Sequence, residues 1–447
     1  VFIVNIFFFH GQLIYAIIFA GKSLPVLMNI RSIIFPALLL LFFASLFLSV
    51  LVSLKVILLG LLLLYALLAG KWTQKLTLFR SRPHIWWMLG FAAWLLISAF
   101  IFSDNPKDTF RFLQLRIPLL IFPLAFGFLY IDRQQRNRLL LFMAWLTTLM
   151  AFACLVAATI TYSRTGDSAF LYNDSLSLLV GQQSIYTSLF VNISIYIFVF
   201  TLLYEKQSSG RKALQTIALF FLFAFSYLLA SRNMMLILYI STLAFLFYYL
   251  FGRKKYLEGA TLLMGLFIAG FLVYKFFPKT LNRFKELTVT SYDYKSLAAE
   301  SHYAGTFSAD QWNGANFRLA AWPCGWQLFK EHPVTGVGLG DKRYELNRVY
   351  AQRDFQFAIK TKKNIHNNYL DILFSTGLIG FILFFTGWLL LPVIRLIRAR
   401  DTLALFIVAT LALAMITEVY FDRSLGAMAF GFLICFLLMP YSRQKDH

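Results

Sequence analysis

Long apolar runs dominate this chain, in stretches of about 17–25 residues, the length that crosses a bilayer core as an α-helix. In lipid every backbone N–H and C=O must find its partner within the protein, which leaves only helices and closed barrels as spanning structures. The period-2 alternation of a membrane barrel is absent, so these runs are read as helices. Hydrophobic residues fill 60% of the chain and charged residues 14%, against roughly half and a quarter in soluble domains. The fold class is therefore all-α and polytopic.

The pattern places spans at 35–51, 53–70, 85–102, 111–130, 138–161, 183–204, 213–230, 233–251, 257–276, 368–396, 402–420 and 424–440, about twelve transmembrane helices. Residues 1–20 are apolar enough for a thirteenth and lack the basic start and cleavage site of a signal peptide. The chain begins at Val rather than Met. An extra helix, an upstream start and a truncated end are all compatible with this, and the segment reads best as a dispensable addition. The expected organisation is 1–34, an extra apolar segment and linker; 35–276, nine transmembrane helices; 277–367, one large periplasmic loop domain; and 368–447, three helices and a short cytoplasmic tail.

Basic clusters occupy every second loop. Lys71, Lys75, Arg80 and Arg82 lie in one, Arg133, Arg136 and Arg138 in another, and Arg395, Arg398 and Arg400 in a third. The positive-inside rule puts these loops in the cytoplasm. Most of the net charge of +21 belongs to this pattern, so it is no sign of nucleic-acid binding. Cys154, Cys324 and Cys435 are far apart and show no disulfide framework or metal spacing.

The long loop 277–367 holds thirteen Lys/Arg against eight Asp/Glu. Long extracytoplasmic loops escape the positive-inside rule, so this excess calls for an anionic partner. In Asn316–Lys330, Leu319, Trp322, Trp326 and Phe329 fall at helical spacing, with Pro323 as a kink or turn. Gly336, Gly338 and Gly340 then mark a tight turn or a close backbone approach. They lack the Lys-Ser/Thr of a phosphate loop and a preceding strand, which argues against a nucleotide site. No D-x-D and no Cys/His metal spacing occurs, so no metal and no cofactor are expected. The loop ends at Asn364-Ile-His366-Asn367-Asn-Tyr-Leu, a titratable side chain at the mouth of an apolar helix.

Ser231-Arg232 at a membrane turn, then Arg318, Trp322, Pro333 and the three glycines, then His366-Asn367, Tyr369-Leu370 and Gly377-Leu-Ile-Gly380 stand in a telling order. This order resembles the O-antigen ligase and polymerase superfamily of bacterial inner-membrane glycosyltransferases, over about 35–440 in topology. Glu418-Val-Tyr-Phe-Asp-Arg423 adds to the resemblance. It implies transfer of a finished glycan from undecaprenyl pyrophosphate to an acceptor hydroxyl, without a metal, at the periplasmic face of the inner membrane. It implies pyrophosphate-binding roles for Arg232 and Arg318, and a catalytic role for His366.

Glycosyl transfer leaves negative charge on pyrophosphate, which fixed cations stabilise. Arginine suits this task, being permanently charged and bidentate to phosphate. The bland alternatives are snorkelling for Arg232, a solvated surface position for Arg318 and an interfacial anchor for His366. A neutral imidazole, with an unperturbed pKa of about 6.5, can accept a hydroxyl proton. Glu418 and Arg423 flank the last extracytoplasmic turn; an ion pair between them and a phosphate role for Arg423 are both open, with Arg423 leaning to substrate and Glu418 to structure. Gln183 and Tyr186 at the start of the sixth span, and Asn367, are candidate substrate contacts. Arg111 and Arg116 are weaker phosphate candidates, and Lys360, Lys362 and Lys363 form a general attractor.

The expected donor is an undecaprenyl-pyrophosphate-linked glycan and the preferred acceptor is lipid A–core, with membrane lipids around the protein. A polymerase or a protein O-oligosaccharyltransferase of the same superfamily is the alternative. A transporter or flippase is the rival from another class, but the internal repeats and midplane charges it favours are not visible.

Overall fold

The computed structural model describes residues 24–48, 51–253, 256, 257, 260, 264, 271, 275, 289–301 and 311–441. The apolar segment 1–20 and most of the expected span 257–276 lie outside the described residues, as does much of the first half of the long loop. Among the described residues the secondary structure is helical, with one isolated bridge between Glu300 and Trp312.

The helices are α1 (Leu24–Leu46), α2 (Val52–Leu68), α3 (Trp72–Arg80), α4 (Pro83–Ile101), α5 (Pro106–Arg116), α6 (Pro118–Gly127), α7 (Arg133–Thr165), α8 (Ser184–Tyr204), α9 (Ser209–Leu229) and α10 (Arg232–Arg253). After the break come α11 (Gly314–Glu331), α12 (Lys342–Gln352) and α13 (Gln356–Lys360). The chain closes with α14 (Asn368–Arg398), α15 (Thr402–Ala414) and α16 (Ser424–Leu438). Each expected span except 257–276 overlaps an apolar helix, with 111–130 divided between α5 and α6, but fewer than twelve of these helices are long enough to cross a membrane.

Among the described residues six helical stretches are long and apolar enough to cross a membrane, α5 and α6 together being one of them, or seven if α2 and α3 count as one span bent by 110°. Part of α1 and of α10, and all of α15 and α16, are shorter apolar helices. The expected loop 71–82 is thus itself helical at α3. Lys75 Nζ donates 2.7 Å to the Leu67 carbonyl at the end of α2 and lies over the Trp72 ring. A cation there satisfies a carbonyl that the helix end leaves open.

Local chemistry sets several helix starts. Asp132 caps α7, Asn105 caps α5 and Asp401 caps α15, each accepting from a backbone N–H in the first turn. Asn313 and Asn316 close a capping box at α11. Pro323 lies inside α11, which continues past it to Glu331.

Basic side chains predicted to share one side gather at one end of the bundle. Buried Arg82 donates to the carbonyls of Phe126 (2.6 Å), Leu129 (2.9 Å) and Tyr441 (3.0 Å). Arg136 is buried against Asp401 and the Leu437 carbonyl. These arginines tie loop ends to the last helix, a structural use beyond orientation.

At the other end α11–α13 build their own small core from Trp312, Phe317, Cys324, Leu328, Tyr350 and Phe355, closed by Phe374 of α14 and Val419. Leu319, Trp322 and Trp326 line an open apolar cleft with Leu370, and of these Trp322 and Leu370 also pack against this core.

The glycine run docks this subdomain onto the bundle. Gly377 has φ +66° inside α14 and breaks its hydrogen-bond ladder. Val337 N and Gly338 N donate to the carbonyls of Phe374 (2.9 Å) and Ser375 (3.1 Å), and Leu378 N donates to Pro333 O (2.9 Å). The freed backbone groups are therefore satisfied by the 333–338 segment, as burial requires. A Cβ on Gly338 would fall 2.0 Å from Phe102 O, so only glycine fits there.

Candidate active site

The site is built where the N-termini of α10 and α14, the body of α11 and the turn 415–423 meet. Ile365 is fully buried and anchors the end of the long loop. His366 follows in the left-handed region at φ +47°, unusual for a residue with a Cβ. Its N–H donates 3.0 Å to Asn364 Oδ1, which fixes the backbone there. The ring stands edge-on to Phe317 with centroids 5.5 Å apart, and its Nδ1 lies 2.9 Å from Glu418 Oε2. The His366 side chain is 21% exposed and that of Glu418 is 12% exposed.

Burial raises the Glu418 pKa, but the charge and hydrogen bond of His366, then Arg318 and Arg423, outweigh it and hold the carboxyl below its usual range. An ionised carboxylate only accepts. Nδ1 then carries a proton towards Glu418, and in the neutral imidazole it is Nε2 that has the lone pair. Glu418 therefore contacts His366 directly, while Arg423 acts on it from further away.

Arg318 Nε and Nη2 both donate to the Thr417 carbonyl, at 3.0 and 2.7 Å, and Nη1 donates to Gly314 O. Three of its five N–H groups are used, and the terminal pair remains to meet a ligand. Burial lowers the Arg318 pKa, with Glu418 and then Glu300 acting against it; the guanidinium stays charged. A Cβ on Gly314 would lie 2.9 Å from Arg318 Nη1 and 3.1 Å from Arg232 Nη2, so the two guanidinium groups flank one bare backbone position. The next residue, Asn233, donates 2.6 Å to Thr417 Oγ1. The 415–423 turn thus joins Arg318, Asn233 and His366.

The other sequence candidates divide. Tyr186 is buried on α8 with its ring edge-on to Tyr420, centroids 5.3 Å apart. Neither hydroxyl has a hydrogen-bond partner among the described residues, and both groups lie within the field of Glu418. Gln183 is exposed at the α8 N-terminus without capping it. Asn367 caps α14 by accepting from Leu370 N at 3.0 Å, a local structural use of its side chain.

Arg116 is buried at 3.3 Å from both Asp371 and Asp422. Lys342 Nζ joins them, 2.7 Å from Asp371 Oδ1 and 2.5 Å from Asp422 Oδ1. This four-charge cluster ties α5, α12, α14 and the last turn together. It places Arg116 in a structural network rather than at an open face. An aspartate inside an apolar run was a visible signal that a partner must exist; which partner was not. Arg423 is exposed beside Asp422. Among the described residues no three His, Cys, Asp or Glu side chains converge as metal ligands.

Residues 217–385 match the family model described as O-antigen ligase. The resemblance to the O-antigen ligase superfamily is thereby shown. The match runs from α9 through Arg232, Arg318 and His366 into α14. It supports a membrane glycosyltransferase of the ligase and polymerase type, with a lipid-linked glycan and an acceptor as its substrates in general. No curated protein matches the chain.

Proposed function

We propose that this chain is an inverting, metal-independent glycosyltransferase that moves an undecaprenyl-pyrophosphate-linked glycan onto a hydroxyl of lipid A–core. The observation that carries this reading is the Glu418–His366 pair in one site with two arginines that converge over the bare backbone of Gly314.

His366 Nε2 takes the proton of the acceptor hydroxyl while its Nδ1–H stays with Glu418. The oxygen attacks the anomeric carbon, and the bond from that carbon to the pyrophosphate oxygen breaks from the opposite face. The bond's electrons leave with undecaprenyl pyrophosphate, whose new charge Arg232 and Arg318 neutralise. These cations are in place before the reaction, so little reorganisation is needed at the transition state.

Helices α15 and α16 contain 13 and 15 residues. At about 1.5 Å per residue they rise roughly 20 Å, less than a bilayer core of about 30 Å. A turn between two such helices sits recessed at one membrane face, where the pyrophosphate of a polyprenyl lipid resides. The Leu319, Trp322 and Trp326 stripe beside Arg318 supplies an apolar surface at that level. In this reading the site end of the bundle faces the periplasm and the Arg82 and Arg136 end faces the cytoplasm of a Gram-negative inner membrane.

Glu418→Gln is expected to lower kcat by about 10²-fold or more with KM little changed, because the imidazole loses the charge that orients it. A purely structural Glu418 would instead change thermal stability and leave the kcat of the folded variant in place.

Ligase activity is preferred because the basic loop suits a phosphate-bearing acceptor. A strain lacking the gene should accumulate long lipid-linked chains and bare lipid A–core. Cores capped with a single repeat would identify a polymerase and refute the ligase assignment.

A further inference from the structure

A second cationic site lies next to the dyad, outside the Arg232 and Arg318 pair. It is a cleft of about 350 Å³ whose lining includes Arg111, Lys342, Arg343, Lys362, Lys363 and Arg423. That is the size range of small-ligand sites. The cations come from four separate segments: α5, the start of α12, the turn after α13 and the 415–423 turn. The two acidic residues in the lining, Asp371 and Asp422, are already met by Arg116 and Lys342. Lys363 is met by Glu300 at 2.7 Å.

Among the described residues Arg343, Lys362 and Arg423 form no ion pair, and Arg111 has only Asp108 at 3.8 Å while 54% exposed. Lys362 lies in the turn after α13 with φ +54°, in the left-handed region. Like charges gathered in one concave site repel one another, and an anion relieves that repulsion.

The cleft is coupled to the dyad through Asn364. This lining residue accepts from His366 N at 3.0 Å and donates to Asp422 Oδ2 at 3.4 Å. Arg423 lines the cleft and also acts on Glu418. Arg232 and Arg318 are not part of the lining. The base therefore stands next to two separate anion sites, as a two-substrate reaction between charged partners requires.

We propose that this cleft holds phosphate groups of the acceptor glycan while Arg232 and Arg318 hold the donor pyrophosphate. The proposal rests on the transferase reading for the word acceptor, but not for the anion site itself. Phosphate could reach the cleft from an acceptor glycan or from an anionic lipid headgroup, and the test separates the two.

Full-length protein is placed in phosphatidylcholine nanodiscs and titrated calorimetrically with inorganic tripolyphosphate. Two sites are expected. Arg343→Ala with Lys362→Ala should weaken one of them roughly tenfold or more, the loss of about 1.4 kcal/mol, and leave the other unchanged. Binding identical to wild type in that double variant overturns the proposal. In phosphatidylglycerol nanodiscs the site should remain open to tripolyphosphate; its loss there alone shows headgroup occupancy and overturns the acceptor assignment.

In transfer assays the double variant should raise KM about tenfold for a phosphorylated acceptor, with kcat unchanged and no effect on a dephosphorylated one. Equal effects on both acceptors refute phosphate recognition. Cleft-dependent tripolyphosphate binding without transfer to any acceptor would sink the transferase reading and leave the anion site standing.

Discussion

His366→Ala is expected to abolish glycan transfer, a loss of roughly 10²–10⁴-fold from the base alone, while the protein still inserts and folds. The ring is 21% exposed and sits at the end of the loop subdomain, whose core is formed by other residues. Removing it leaves Glu418 without its hydrogen-bonded partner, at a cost of about 1–3 kcal/mol. Arg318 and Arg423 remain near enough to compensate part of that charge. His366→Gln separates the two effects. Its amide can still donate to Glu418 but cannot take up a proton, so it should restore thermal stability and not activity. Wild-type transfer by either correctly inserted variant would rule out the base assignment.

The membrane helices were legible because lipid leaves the backbone one local solution, written as unbroken apolar runs. What was not legible depends on contacts between distant segments. Gly377 reads as an ordinary helix residue until the 333–338 segment is seen inserted at its break. Lys342 is one of thirteen basic residues in a long loop, and nothing local tells it from Arg343 beside it. In the structure both line one cleft, but Lys342 is buried on Asp371 while Arg343 forms no ion pair among the described residues.

The site divides in the same way. His366, Arg232 and Arg318 stood out through motif order; the structure brings His366 and Arg318 to one turn and Arg232 beside Arg318 at Gly314. Glu418 stands near Arg423 in the sequence, where an ion pair between them is the local reading. Its contact with His366 spans a helical hairpin and belongs to tertiary structure alone. Asn367, a candidate substrate contact, also has a local use that a polar residue before an apolar helix predicts: its Oδ1 caps α14.

The paired arginines should be nearly as sensitive as the base, and unequally so when replaced by lysine. Arg318→Ala and Arg232→Ala are each expected to lose about 10²-fold or more in kcat, the scale for removing one preorganised donor from a developing anion. Lysine keeps a positive charge but has no fork. At 318 it would surrender the two bonds to the Thr417 carbonyl that hold both the guanidinium and the turn carrying Glu418. Arg318→Lys should therefore behave much like alanine. Arg232 begins α10, where the helix N-terminus adds its own partial positive charge. A lysine at 232 keeps part of the electrostatic term, so Arg232→Lys should retain several-fold more activity than Arg232→Ala. The ordering is measured with purified variants at saturating acceptor, following pyrophosphate-lipid release. Full turnover with lysine at both positions would show that point charge suffices, and the picture of two forks closing on one pyrophosphate over Gly314 would have to be abandoned.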